Sequence, residues 1–237
     1  MGYYRYRVKL KLKDWIFNLT KNEKPKIFCL SFQRTGTTST GVFFKDHNFR
    51  VATSSVSKMN EWGRKYIEGN YEAVFESAAF KTNDVFEDGP WWFGDFYKVL
   101  FHRFPDAKFI LLERKHDKWF DSMMRHSDNK NPGNSFRHSK LYHREREFYN
   151  LNLNEKFIYN NEKDNLLPLT EKHRKHYTDI YRLRNNEVKE FFKTFGPQRL
   201  FNARLEDENL WCEMGGFSGF EVNSNYNVHA NKTTTEE

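Results

Sequence analysis

The chain has 237 residues, of which 38% are hydrophobic and 18% aromatic, and its formal net charge is +7. That length suits one sizeable α/β domain with a proper core, or at most two small ones. The abundance of Phe, Tyr and Trp argues against a disordered chain, and two cysteines, Cys29 and Cys212, give neither a disulfide framework nor a zinc pattern. No apolar stretch is long enough to span a membrane and the N-terminus lacks a signal-peptide apolar region, so a reduced, cytoplasmic setting is expected.

The charge is concentrated at the start. Residues 1–26 hold eight basic and two acidic residues, a net +6. From Tyr6 to Leu12 basic and apolar residues alternate, which predicts an edge strand or a solvated segment, with lysines discouraging edge pairing. Weak membrane-surface contact through residues 3–13 is the sharper reading, and a nucleic-acid arm is not favoured. Residues 1–25 are accordingly set apart as a basic N-terminal segment.

Lys26–Phe32 is a short apolar run that reads as a buried strand. Gln33-Arg34-Thr35-Gly36-Thr37-Thr38-Ser39 then forms a hydroxyl-rich turn, followed by a helical pattern through Val42, Phe43 and Phe44. A strand entering a helix through such a turn leaves backbone N–H groups pointing at one spot, at the positive end of the helix dipole. Thr37, Thr38 and Ser39 add hydroxyl donors, and Arg34 adds a fixed charge suited to phosphate-like oxygens. The segment is built for an anion. It lacks the leading glycine and the lysine of the Walker loop.

Phe49–Ala52 reads as a second short strand and residues 60–79 as a helix through Trp62, Tyr66, Ile67, Tyr71, Val74 and Phe75. Ala79–Pro90 reads as a strand or loop leading to a turn. Pro90 sits where a helix would begin, with Phe93, Phe96, Tyr97, Leu100, Phe101 and Phe104 at helical spacing. Lys108–Glu113 is the clearest strand after the first and is expected to be its parallel neighbour. Arg114 stands at that strand's carboxyl end and Ser122 eight residues on, in a helix for which Asp117 is the expected N-cap. An arginine and a serine at that edge suit a second phosphate; an arginine paired with a surface carboxylate is the plain alternative.

His126–Arg137 is polar and reads as an exposed loop, with short helices expected around Tyr142–Tyr149. Tyr142, Phe148, Tyr149, Phe157 and Tyr159 are candidates for lining a cleft, although a packing role is the favoured reading for each of them. Thr170–Phe195 reads as the longest helix, stopped by Gly196-Pro197. Arg199–Leu205 reads as a strand, Glu206–Met214 as a last helix, and residues 233–237 as a disordered tail. Neither His173/His176 nor His138/His143 has the carboxylate or cysteine company of a metal site.

Arg-Thr-Gly-Thr-Thr at 34–38 resembles the 5′-phosphosulfate loop of sulfotransferases that use 3′-phosphoadenosine 5′-phosphosulfate (PAPS). Arg114 followed by Ser122 resembles their 3′-phosphate element. The approach through Asp88-Gly-Pro90 and Phe104-Pro-Asp-Ala-Lys108, and the close through Trp211, Gly219 and His229-Ala-Asn231-Lys232, are similar to the small bacterial-type members. The resemblance covers roughly residues 26–232. Phe32-Gln33 departs from the usual small or Pro-containing lead into the loop, and Ser218 stands where Leu is more usual.

The resemblance implies a single α/β domain over 26–232, a central parallel sheet flanked by helices in the P-loop-like sulfotransferase arrangement. It implies sulfuryl transfer from PAPS, leaving adenosine 3′,5′-bisphosphate, to a hydroxyl or amine of a carbohydrate, lipid or small metabolite. Arg34, Thr35, Gly36, Thr37, Thr38 and Ser39 would hold the 5′-phosphosulfate, Arg114 and Ser122 the 3′-phosphate. His229, Asn231 and Lys232 would close over the nucleotide. Arg34 would carry leaving-group charge without a metal, and Asp88 would be the general base, with Glu87, Asp84 and His47 behind it; an N-cap for the helix near Pro90 is the plain alternative for Asp88. A nucleotide-dependent kinase and a non-catalytic nucleotide- or nucleic-acid-binding protein are the alternatives. The strand ending Glu113-Arg114 lacks the metal-binding aspartate expected of the first.

Overall fold

The structure, a computed structural model, describes residues 24–125, 136–150, 169–228 and Ala230. Residues 1–23 of the basic segment, Phe157 and Tyr159, His229, Asn231 and Lys232, and the tail from 233 lie outside the described residues.

Five parallel strands form one sheet in the order β2-β3-β1-β4-β5. They are β1 (Ile27–Cys29), β2 (Val51–Ala52), β3 (Val85–Phe86), β4 (Lys108–Glu113) and β5 (Leu200–Arg204). β1 lies at the centre, pairing Phe28 with Phe86 on one side and Phe28 with Phe109 on the other. A strand packed on both faces needs a continuous apolar run, which explains why β1 and β4 are so legible in the sequence. Phe28, Leu30, Phe109 and Leu111 face one core, while Ile27, Ile110 and Leu112 face the other.

The second core is closed by α1 (Thr37–Asp46) through Phe43 and Phe44, and by α11 (Leu210–Ser218) through Trp211 and Met214. The first is covered by five shorter helices and one long one. These are α2 (Ser54–Met59), α3 (Trp62–Ile67), α4 (Tyr71–Phe75), α5 (Ala78–Thr82), α6 (Phe96–Arg103) and α10 (Arg174–Phe195). A third, aromatic cluster of Phe32, Trp92, Trp119, Tyr142, Tyr177 and Tyr181 lies beyond the carboxyl end of the sheet. α7 (His116–Arg125) and α8 (Phe136–Leu141) pack into it, and α9 (Glu145–Tyr149) follows in the chain.

Several expectations are corrected. The single helix over 60–79 is three short ones, because Gly69 takes a φ of 71° and the Asn70 and Ser77 side chains cap new starts. The helix after Pro90 begins only at Phe96, with Asp95 at its N-cap, so Asp88 caps no helix. Helix α7 begins at His116, which puts Asp117 in its first turn, favourable for the dipole, rather than at the cap. The polar stretch 126–137 turns helical by Phe136. The last helix runs over 210–218 instead of 206–214. Tyr142 is fully buried against Tyr177, their rings 4.3 Å apart, and serves the aromatic core.

Candidate active site

Leu30 donates its N–H to the Ile110 carbonyl at 2.7 Å, and Ser31 Oγ accepts the Leu112 N–H at 2.7 Å. The exit of β1 is thus fixed to β4 up to its last residues. Beyond it the chain tightens: Thr35 Oγ1 donates to the Phe32 carbonyl at 2.6 Å, and Arg34 adopts a left-handed φ of 69°. Gly36, with φ 88°, caps α1. A Cβ there would meet Leu205 Cδ1 at 2.5 Å in a conformation that side chains disfavour, so only glycine fits comfortably. Thr35, Thr37 and Ser39 are buried and Thr38 is exposed. Ser39 Oγ accepts the backbone N–H of Ala230 at 3.0 Å, which brings the terminal segment to the first turn of α1.

The two phosphate elements meet. Arg34 Nε donates to Ser122 Oγ at 3.2 Å, although 88 residues separate them. Trp119 Nε1 donates to the Gln33 carbonyl at 2.9 Å and ties α7 to the loop. Arg114, at the end of β4, is held by Tyr181 of α10: its N–H donates to Tyr181 Oη at 2.9 Å, and that hydroxyl donates to the Arg114 carbonyl at 3.2 Å. Tyr181 itself stacks on Trp119 at 4.4 Å. The Arg114 side chain has a loose partner in Glu206, 3.6 Å away. Burial holds the Arg34 pKa below its ordinary value, and the neighbouring positive charges of Arg114 and Arg125 lower it further. Arg114 and Arg125 are near enough to Arg34 for their charges to oppose its own, and an anion would relieve that repulsion.

Asp88 and Glu87 follow β3 beside the end of β1. Asp88 is half-buried, with φ 63°. Glu87 is buried against α1, so closely that a Cβ on Gly41 would lie 2.5 Å from Glu87 Oε2. Its pKa is pushed up to about 7, chiefly by burial and then by Asp88, with Lys45 and the Ser54 N–H acting in opposition. The other two carriers considered for the base lie elsewhere. Asp84 precedes β3, at the opposite edge of the sheet, and is paired with Arg50 at 2.5 Å. His47 follows α1, where its Nδ1 is 2.7 Å from the Phe43 carbonyl and its ring packs on Phe220.

Sequence reasoning missed Arg125 and Tyr181. Arg125 lies three residues after Ser122 on α7, a spacing that puts both on one helix face and offered a readable signal. Tyr181 read simply as one of the apolar stripe of α10; its second role comes from where its hydroxyl ends.

The loop after β1, the arginine after β4 and the serine in α7 lie at the carboxyl edge of a parallel sheet, where open α/β folds bind ligands. This is a candidate anion site on a single α/β domain with an all-parallel sheet. A family model described as a sulfotransferase domain matches residues 26–235, and the chain belongs to that family. No curated protein matches the chain. Among the described residues no helix is long and apolar enough to cross a membrane, and no group of three or more His, Cys, Asp or Glu gathers as metal ligands would.

Proposed function

We propose that the protein transfers a sulfuryl group from PAPS to a hydroxyl or amine of a small-molecule, lipid or carbohydrate acceptor. The observation that carries this reading is the hydrogen bond from Arg34 of the loop to Ser122 of α7, which joins the two expected phosphate elements at the ends of neighbouring strands. Two anion elements so close to each other suit a nucleotide with phosphates on both the 3′ and 5′ positions. A single triphosphate would need the loop lysine that this chain lacks.

In the reaction, a bond forms between the acceptor oxygen or nitrogen and sulfur while the bond from sulfur to the 5′-phosphate oxygen breaks. Charge develops on the leaving phosphate, so catalysis consists of alignment and of stabilising that charge. Arg34, the loop N–H groups and the hydroxyls of Thr37 and Thr38 serve the leaving oxygens, and Arg114 with Ser122 holds the 3′-phosphate. His229, Asn231 and Lys232 close the nucleotide site. Asp88 takes the acceptor's proton: it stands beside the end of β1 and, capping no helix, has no evident structural duty.

Incubating the protein with ³⁵S-labelled PAPS and acceptor extracts tests the reading. Label is expected in an acceptor, with release of adenosine 3′,5′-bisphosphate. A protein that binds ATP and AMP as tightly as the bisphosphate, and labels nothing, overturns it.

A further inference from the structure

Arg184, in the middle of α10, is the least expected charge in the fold. The residue is 7% exposed. Its Nη1 donates to the Leu30 carbonyl at 2.6 Å, but Nε and Nη2 are buried and meet no acceptor among the described residues. The guanidinium lies over the rings of Phe32, at 5.4 Å, and Tyr97, at 5.7 Å. Ring faces attract a cation but do not accept its N–H bonds as an oxygen does.

A second donor lies on the same ring. Trp92 packs on Phe32 with centroids 5.0 Å apart, and its indole N–H is also buried without an acceptor. Buried polar groups are ordinarily satisfied, and a buried charge is ordinarily paired. Here both residues touch Phe32, and each keeps a buried N–H without an acceptor among the described residues.

Their position links them to the reaction. Arg184 meets the Leu30 carbonyl and the Phe32 ring, both on the chain that leaves β1 for the phosphate loop. Trp92 follows Asp88 by four residues, and Phe32 leads into the phosphate loop. The guanidinium is covered by the side chains of Phe32 and Tyr97 and not by backbone.

On the sulfotransferase reading, we propose that Arg184 and Trp92 form an anion subsite for the acceptor. The molecule that receives the sulfuryl group then carries, beside its reacting hydroxyl or amine, a carboxylate or sulfate-ester group. The oxygens of that group accept the free N–H bonds of Arg184 and Trp92, and the aromatic rings pack against the rest. Arg184 would thereby select acidic acceptors over neutral ones.

The test is binding by ligand-observed NMR titration, with the protein saturated by adenosine 3′,5′-bisphosphate. The probes are 4-hydroxybenzoate and 4-hydroxyphenylacetate, each against its amide. The carboxylates are expected to bind at least tenfold more tightly than the amides. Arg184→Met should abolish the difference, Arg184→Lys should retain part of it, and Trp92→Phe should reduce it. Because Arg184→Met removes an unpaired buried charge and replaces it with an apolar side chain of similar length, its Tm should be equal to or above that of the wild type. Wild-type protein that binds the bisphosphate but treats carboxylates and amides alike would overturn the proposal. So would an Arg184→Met protein that keeps the preference while losing stability, which would make Arg184 a strut for Leu30. Failure to bind the bisphosphate at all would instead sink the transferase reading on which the subsite rests.

Discussion

Arg114→Ala is the most informative perturbation of the nucleotide site. Its side chain is 27% exposed, so a contact with a 3′-phosphate is partly shielded from water. A hydrogen bond to a charged group contributes roughly 1.5–3 kcal/mol, and about 1.4 kcal/mol corresponds to a factor of ten. The ion pair with Glu206 is long and exposed and adds little to stability, so its loss should leave the fold intact. Affinity for adenosine 3′,5′-bisphosphate should therefore fall about ten- to a hundredfold, while affinity for AMP, which lacks the 3′-phosphate, should change by less than about twofold. Isothermal titration calorimetry with both nucleotides reads the ratio directly. Tyr181→Phe should move the ratio in the same direction by less, because the ring stack on Trp119 survives while the two bonds to the Arg114 backbone are lost. If Arg114→Ala weakened AMP and the bisphosphate equally, Arg114 would not be reading the 3′-phosphate and the assignment would fail.

Asp88→Asn should lower turnover by about two to four orders of magnitude with bisphosphate binding and Tm near normal, since loss of a general base costs that much and Asn tolerates a left-handed φ; near wild-type turnover would move the base to Glu87. For Glu87 the sign concerns stability. Its folded pKa of about 7 exceeds the ordinary 4.5, so the folded state holds a proton that the unfolded state has lost between those values. Stability should consequently fall as pH rises from 4.5 to 7 and level off above, by roughly 3 kcal/mol in all. Glu87→Gln should flatten that slope in urea titrations across the range, and an unchanged slope would refute the buried proton. Arg34→Ala should reduce the transfer rate more than nucleotide affinity, and excess EDTA should leave the wild-type rate unchanged, because protein cations serve the leaving oxygens; a strict magnesium requirement would favour the kinase alternative.

The sheet's arithmetic follows from electrostatics as much as from apolar burial. Lys26 Nζ donates to the Phe80 and Asn83 carbonyls, both at 3.0 Å, closing the amino end of β1 over α5. Arg199 donates to the Ala107, Phe101 and Phe104 carbonyls and so satisfies the end of α6 and the turn into β4. These cations hold the amino edge of the sheet by backbone capping. At the carboxyl edge, Arg34 meets a serine hydroxyl and Arg114 a carboxylate 3.6 Å away, which leaves that edge the better suited to an anion.

Local chemistry made part of this protein legible from sequence. β4 announces itself because a strand buried on both faces must be apolar throughout, and its expected span of 108–113 agrees with the structure. The turn at 33–39 is legible because glycine, hydroxyls and an arginine between an apolar strand and a helix have few other uses. The long helix was visible from its stripe, with the first three residues tightening into a 3-10 turn before Arg174. The breaks within 60–79 were hidden because its apolar residues keep helical spacing across three separate caps. Arg184 reads in sequence as one more solvated charge on a polar helix, and only packing against Phe32 and Tyr97 buries it. Asp84 and Asp88 are equally plausible carboxylates in sequence, four residues apart; the strand between them carries one to Arg50 and the other to the site edge. Sequence fixes which groups exist and how the nearby backbone must turn. Which of them share a few ångströms depends on strand order and on α10 crossing the sheet, and those are decided by long-range burial that no local pattern records.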